Sequence, residues 1–268
     1  MGLPASLRPN PFPGSRWGPE DKPVCLLDGA VHRIRASCAP LRGGAAYVVG
    51  VNDRDFDSLC DRLDVESLNC YEMRVANLDP IKRIRRLREL AIAWNPKLKD
   101  ISPLGELRAL TALRLDDTPR VFDLQPLAGL SSLVFLEFSG GIWNKNRVAT
   151  LEPIGGLPQL QELVLTNLGV ESGDLRPLGK CSNLLRLTVS NQFPTEDYAF
   201  LSVALANTEC SMFAAYVKLQ QPLAGKDVMV VGKGKPLLST ARDGPRLARY
   251  AAEFAARRDE HRQRLTGL

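Results

Sequence analysis

The stretch Ile101-Ser-Pro-Leu-Gly-Glu-Leu-Arg-Ala-Leu-Thr-Ala-Leu-Arg-Leu115 decides the fold, because the chain returns to it. Leu78-Asp-Pro-Ile81, Leu124-Gln-Pro-Leu127, Leu151-Glu-Pro-Ile154 and Leu175-Arg-Pro-Leu178 repeat its opening, with successive prolines 23, 23, 27 and 24 residues apart. After each proline, apolar residues recur every three positions, as in Leu104, Leu107 and Leu110 or Ile154, Leu157 and Leu160; Cys181 takes the middle place once. That spacing is one face of a short helical or 3-10 turn. The last leucine of each set opens an L-x-x-L-x-L block: Leu87/Leu90/Ile92, Leu110/Leu113/Leu115, Leu133/Leu136/Phe138, Leu160/Leu163/Leu165 and Leu184/Leu187/Val189. Alternation in its second half is the pattern of a half-buried strand.

One such unit cannot bury its apolar side alone, whereas stacked units form a continuous core. The pattern therefore predicts an α/β solenoid with a parallel sheet on the concave side and short helices or 3-10 turns on the convex side. Proline suits the entry to the convex turn, where a missing N–H costs least. Tyr198 to Ala204 suggests a sixth, degenerate turn, and Val65 to Leu68 opens the first.

On these residues the chain resembles the leucine-rich-repeat superfamily, in its short-repeat cytosolic class with an L-x-P-L turn. It is similar there to bacterial internalin repeats and to the repeats of a eukaryotic phosphatase regulatory subunit. The resemblance covers about Val65 to Leu205 and implies a recognition scaffold. The family's strands usually end in an asparagine that satisfies turn backbone; only Asn95 is in register, with Thr118, Gly141, Leu168 and Gln192 at the equivalent positions and Asn167 and Asn191 displaced by one. Local irregularity is expected in those turns.

A solenoid needs both open ends covered. Residues 65–207 are read as the repeats, 24–64 as an N-terminal cap and 208–268 as a C-terminal cap. In the first cap, Ala45 to Val51 reads as a strand, and Asn52-Asp53 starts a helix to about Leu63 with Phe56, Leu59 and Leu63 on one face. In the second, Asp227 to Gly232 and Leu237 to Thr240 read as strands around a glycine turn. A helix follows from Asp243-Gly-Pro245, with Leu247, Tyr250, Ala251 and Phe254 as its apolar stripe. Six prolines in residues 1–23 predict a flexible leader.

Net charge is +5. From Val217 to Leu268, eleven Lys/Arg face five Asp/Glu, so the excess lies at the C-terminus. A solvated helix face accounts for it, which disfavours nucleic acid as a partner without removing the alternative of nucleic-acid or membrane-surface binding there. No apolar run approaches the roughly 20 residues of a membrane span, and no signal sequence opens the chain, so a cytoplasmic location is expected. Cys25, Cys38, Cys60, Cys70, Cys181 and Cys210 form no C-x-x-C pair and read as reduced thiols.

Chemistry has little to work with. His32 and His261 are the only histidines and fit no metal or triad spacing. Gly232-Lys-Gly-Lys-Pro236 lacks the length of a phosphate loop and reads as a hairpin turn. Adjacent carboxylates such as Asp116 and Asp117 diverge on an extended chain. No catalytic, cofactor or metal residues are assigned, and the chain is not read as an enzyme.

The residues between and after the buried strand positions project from the concave face, which makes Trp94, Arg114, Asp116, Glu137, Asn167 and Arg186 candidate contacts. Trp94 and Arg114 lead them, since Trp and Arg anchor interfaces; Trp94 has the alternative of packing over its own turn against Pro96. Twelve residues separate Phe138 from Leu151 where the other repeats use eight or nine. The inserted loop, 139–150, adds Trp143, Lys145 and Arg147. The expected function is non-catalytic protein–protein interaction through the concave face and this loop. An immunity-type or regulatory inhibitor of a toxin or enzyme is an alternative. Neither the partner nor the oligomeric state is legible in the sequence.

Overall fold

The computed structural model describes residues 23–36 and 39–267. All of the predicted leader except Pro23 lies outside the described residues, as does Cys38. The described chain begins with an antiparallel hairpin, β1 (Val24–Leu27) and β2 (Ala30–Arg33). Asp28 and Gly29 turn it with φ of 45° and 90°, the pair of positive values that a two-residue Asp-Gly turn supplies. The Asp28 carboxylate accepts the backbone N–H of Gly44 and Ala45, and these bonds hold its pKa below the usual carboxylate range.

Parallel stacking starts one coil earlier than the sequence pattern indicates. After β3 (Leu41–Arg42), β4 (Ala45–Val49) pairs antiparallel with β1 on one side and parallel with β6 (Ser67–Tyr71) on the other. Between them α1 (Asp53–Cys60) is capped by the Asn52 side chain and buries Phe56 and Leu59. It stops before Leu63, which belongs instead to β5 (Leu63–Asp64), parallel to β3. Residues 45–64 thus form a complete coil, and the hairpin extends the same sheet at its N-terminal edge.

The ladder continues through β7 (Glu89–Ala93), β8 (Ala112–Asp116) and β9 (Phe135–Ser139). After β10 (Asn146–Val148) comes β11 (Glu162–Leu165); after β12 (Leu168–Val170) comes β13 (Arg186–Val189), which closes a nine-stranded sheet. β10 and β12 pair with each other as a separate two-stranded sheet, the irregularity expected where the asparagines fall out of register. On the convex side, 3-10 turns at Asp79–Arg83, Ser102–Glu106, Gln125–Gly129 and Arg176–Lys180, with the one-turn α2 (Glu152–Gly155), carry the repeated prolines at their starts. The core lies between the two layers. Leu90, Leu113, Leu136, Leu163 and Leu187 stack in it with Ile92, Leu115, Phe138, Leu165 and Val189, all buried. This is a leucine-rich-repeat solenoid.

The sixth turn is a full helix, α3 (Thr195–Ala204). A C-terminal unit follows, in which β14 (Tyr216–Leu223), β15 (Lys226–Val230) and β16 (Leu237–Leu238) form an antiparallel sheet and α4 (Gly244–Thr266) packs on α3. Leu247 and Phe254 face inward as the stripe requires, while Ala251 is exposed. Asn191 ties the unit to the last repeat by donating to the Val230 carbonyl at 2.9 Å and accepting from the Gly232 N–H at 2.6 Å. Five of the helix's arginines are already paired: Arg246 with Asp243, Arg249 with Glu253, Arg257 with Glu196, Arg262 with Asp259 and Arg264 with Glu260.

Candidate partner-binding site

Four successive strands of the ladder, β4, β6, β7 and β8, leave the sheet through a left-handed residue. Gly50, Glu72, Trp94 and Asp117 occupy the same position of successive coils with φ of 75°, 55°, 55° and 48°. Their N–H groups run a ladder along the rim: Gly50 to the Tyr71 carbonyl, Glu72 to Ala93, Trp94 to Asp116 and Asp117 to Ser139, at 2.9–3.1 Å. Gly and Asp take this conformation at little cost, but a bulky side chain there is an outlier. Trp94 is that outlier. Its ring rests on Tyr71, with centroids 5.8 Å apart, and remains 46% exposed. Contact with Tyr71 of the neighbouring coil packs it.

At the next position along the rim the inserted loop begins, and glycines let it fold back closely. A Cβ on Gly140 would collide with the backbone oxygen atoms of Asn167 and Asn144 and, at 2.8 Å, with the Asn146 nitrogen. A Cβ on Gly141 would strike the Asp117 carboxyl. Two asparagines then pin the loop. Asn146 is fully buried and donates to the Ser139 carbonyl at 2.8 Å; the Asn167 amide, itself on a left-handed residue, donates to the carbonyls of Gly141 at 2.8 Å and Asn144 at 3.2 Å. On this held backbone, Ile142 and Trp143 are 91% and 89% exposed. The two walls enclose an open cleft of about 400 Å³ between Tyr71 and Trp94 on one side and Ile142 and Trp143 on the other, with Asp116 and Asp117 between them.

The cleft gathers three of the residues singled out in the sequence, Trp94, Asp116 and Trp143. Arg114 and Glu137 lie behind it. Arg114 is buried, 2.8 Å from Asp116 and 3.2 Å from Glu137, and therefore acts as an internal counter-ion instead of presenting itself to solvent. Burial pushes the pKa values of both carboxyls up, with the Arg114 charge acting against it. Asn167 spends its amide under the loop. Lys145 and Arg147 are exposed, with their stems beside Gly169, and neither lines the cleft. Arg186 stands apart, paired with Glu162 at 2.6 Å. The middle of the concave face is closely packed, since Ala91, Ala112 and Phe135 form a small buried cluster of their own. Sequence reasoning passed over Tyr71, Ile142 and the pinning role of Gly140 and Asn146; the one available signal was Ile142 beside Trp143 in a loop without apolar periodicity.

No protein-family profile and no curated protein sequence matches the chain. Solved structures similar to it include internalin C2 of Listeria monocytogenes, 28% identical with a TM-score of 0.47, over 60% of this chain and 68% of that one. A second Listeria monocytogenes internalin is 20% identical with a TM-score of 0.25, over 57% and 62% of the two chains. A leucine-rich-repeat protein of Leptospira interrogans is 18% identical with a TM-score of 0.35, over 58% and 50%. These likenesses are partial, and the fold assignment rests on the register and turns described above.

Proposed function

We propose that this leucine-rich-repeat solenoid is a non-catalytic scaffold that binds a protein partner through the rim of its concave face and the inserted loop 139–150. The observation that carries the reading is the display of Ile142 and Trp143 at about nine-tenths exposure on a loop whose backbone is fixed by Asn146, Asn167 and Gly140. Large apolar side chains gain nothing in water, and a loop held in place loses little entropy when a partner closes over it. Trp94, in a left-handed conformation that disfavours it, supplies a second anchor across the cleft. A cytoplasmic setting belongs to the same reading, supported by five cysteines that are free thiols and mostly buried. No helix among the described residues is long and apolar enough to cross a membrane.

Site-resolved photo-crosslinking tests the assignment. A photoreactive residue at position 142 should capture the partner, while one at exposed Arg108 on the convex side should not. Equal capture at both positions, or capture only at 108, would overturn it.

A further inference from the structure

Resting on the reading of the cleft as the docking site, we infer that the group it receives is an arginine side chain of the partner, stacked on indole and paired with Asp117. The rim places Glu72, Trp94 and Asp117 in register on adjacent coils, about 4.8 Å apart from one strand to the next, so a carboxylate-bearing position flanks the indole on each side. Asp117 forms no ion pair among the described residues. Its carboxylate accepts one long hydrogen bond, 3.4 Å from the Asn144 amide. The nearby cation is already engaged, because Arg114 is held between Asp116 and Glu137. The loop's own Lys145 and Arg147 lean over Gly169. Asp117 therefore stands beside a guanidinium already committed to Asp116 and Glu137, and the charge that fits the cleft is positive.

The walls select which cation. Indole faces attract a cation more strongly than any other ring does, and Trp94 and Trp143 provide two of them. A guanidinium is planar and weakly hydrated, stacks on aromatic faces and still offers N–H donors in its plane to a carboxylate, which a compact, strongly hydrated ammonium cannot do. The ladder rim offers no strand edge. The rim N–H groups of Glu72, Trp94 and Asp117 are all spent within the ladder, so an incoming strand finds no edge to extend.

The test uses the full chain and three small probes: N-acetylarginine amide, N-acetyllysine amide and N-acetylnorleucine amide. The indole N–H signals of Trp94 and Trp143 are followed by proton–nitrogen correlation spectroscopy, assigned with Trp94→Phe and Trp143→Phe. The arginine probe should shift both signals saturably, the lysine probe more weakly, and the norleucine probe not at all. Asp117→Asn, which keeps a residue tolerant of the left-handed conformation, should weaken the arginine response by roughly fivefold, and added salt should weaken it as well. An arginine probe that shifts neither signal overturns the inference. So does a norleucine probe that acts as strongly, or an Asp117→Asn chain that binds arginine unchanged; either would leave an apolar dock in place. Failure of the docking reading itself shows separately, as a partner that cross-links away from position 142.

Discussion

Replacing Trp94 by alanine and by glycine separates the cost of its backbone from the value of its ring. Both substitutions lose the same contact with Tyr71 and the same buried part of the indole. They differ at φ 55°, where alanine retains the clash of a Cβ with the carbonyl and glycine does not. Relief of that clash is worth about 1–2 kcal/mol, and the extra freedom of glycine in the unfolded chain returns roughly 0.5–1 kcal/mol. The glycine variant should therefore be the more stable by about 0.5–1 kcal/mol, or roughly 2 °C in Tm for a chain of this size. Ala93→Gly, one residue earlier and inside β7, should show the opposite sign and lose about 0.5–1 kcal/mol. Urea unfolding followed by circular dichroism measures all three, with midpoints compared at equal m-values. An alanine variant as stable as the glycine variant would refute the argument, since Trp94 would then sit at no backbone cost and its conformation would say nothing about selection for binding.

The loop makes a steric prediction. Gly140→Ala should destabilise by about 1–3 kcal/mol, whereas Gly156→Ala, whose new Cβ would meet nothing nearer than 3.8 Å, should be close to neutral; thermal melts compare the two. Burial pushes Cys25 up to about 12 and Cys181 to about 11, so a thiol reagent at pH 8 should label these two only on unfolding; rapid labelling of either in the native chain would contradict the packing. Glu196 provides a pH dependence. Burial disfavours its charge, but the hydrogen bonds and charges of Arg257 and His261 outweigh this and hold its pKa below the usual range. A folded value below the unfolded one, about 4.3, gives stability that is complete above that pH and lost as the pH falls through the folded value. Acid should thus speed amide exchange in α4, and Glu196→Gln should remove that step; an unchanged acid response in this variant would rule out the pair as its source.

The solenoid was legible because burial there is periodic. The five L-x-P-L turns and the alternation in L-x-L mark positions whose side chains all enter one core, and the structure puts each of them there. Elements without a repeated partner were harder to see. The hairpin of β1 and β2 carried a turn signal, Asp28-Gly29 between two short strands, which went unread because the leucine spacing stops before it. β14 alternates only weakly and contains Pro222, which hides it among loops. At the site, composition pointed to Trp94 and Trp143, but not to their approach across a cleft, which depends on two glycines tolerating contacts 24 and 27 residues away. Arg114 shows the same limit from the other side. An outward strand position predicts exposure, whereas the side chains of Asp116 and Glu137 close around it and bury its charge.

The most direct test of partner binding at the rim is the calorimetric affinity of the purified partner for the chain and for an Ile142→Ala/Trp143→Ala variant, with Tm measured on the same samples. Both side chains are almost wholly exposed, so stability should change by less than about 0.5 kcal/mol per site. Affinity should fall at least about 30-fold, as expected on removing an interface anchor worth roughly 2 kcal/mol. A variant that retains full affinity with an unchanged Tm would contradict the account.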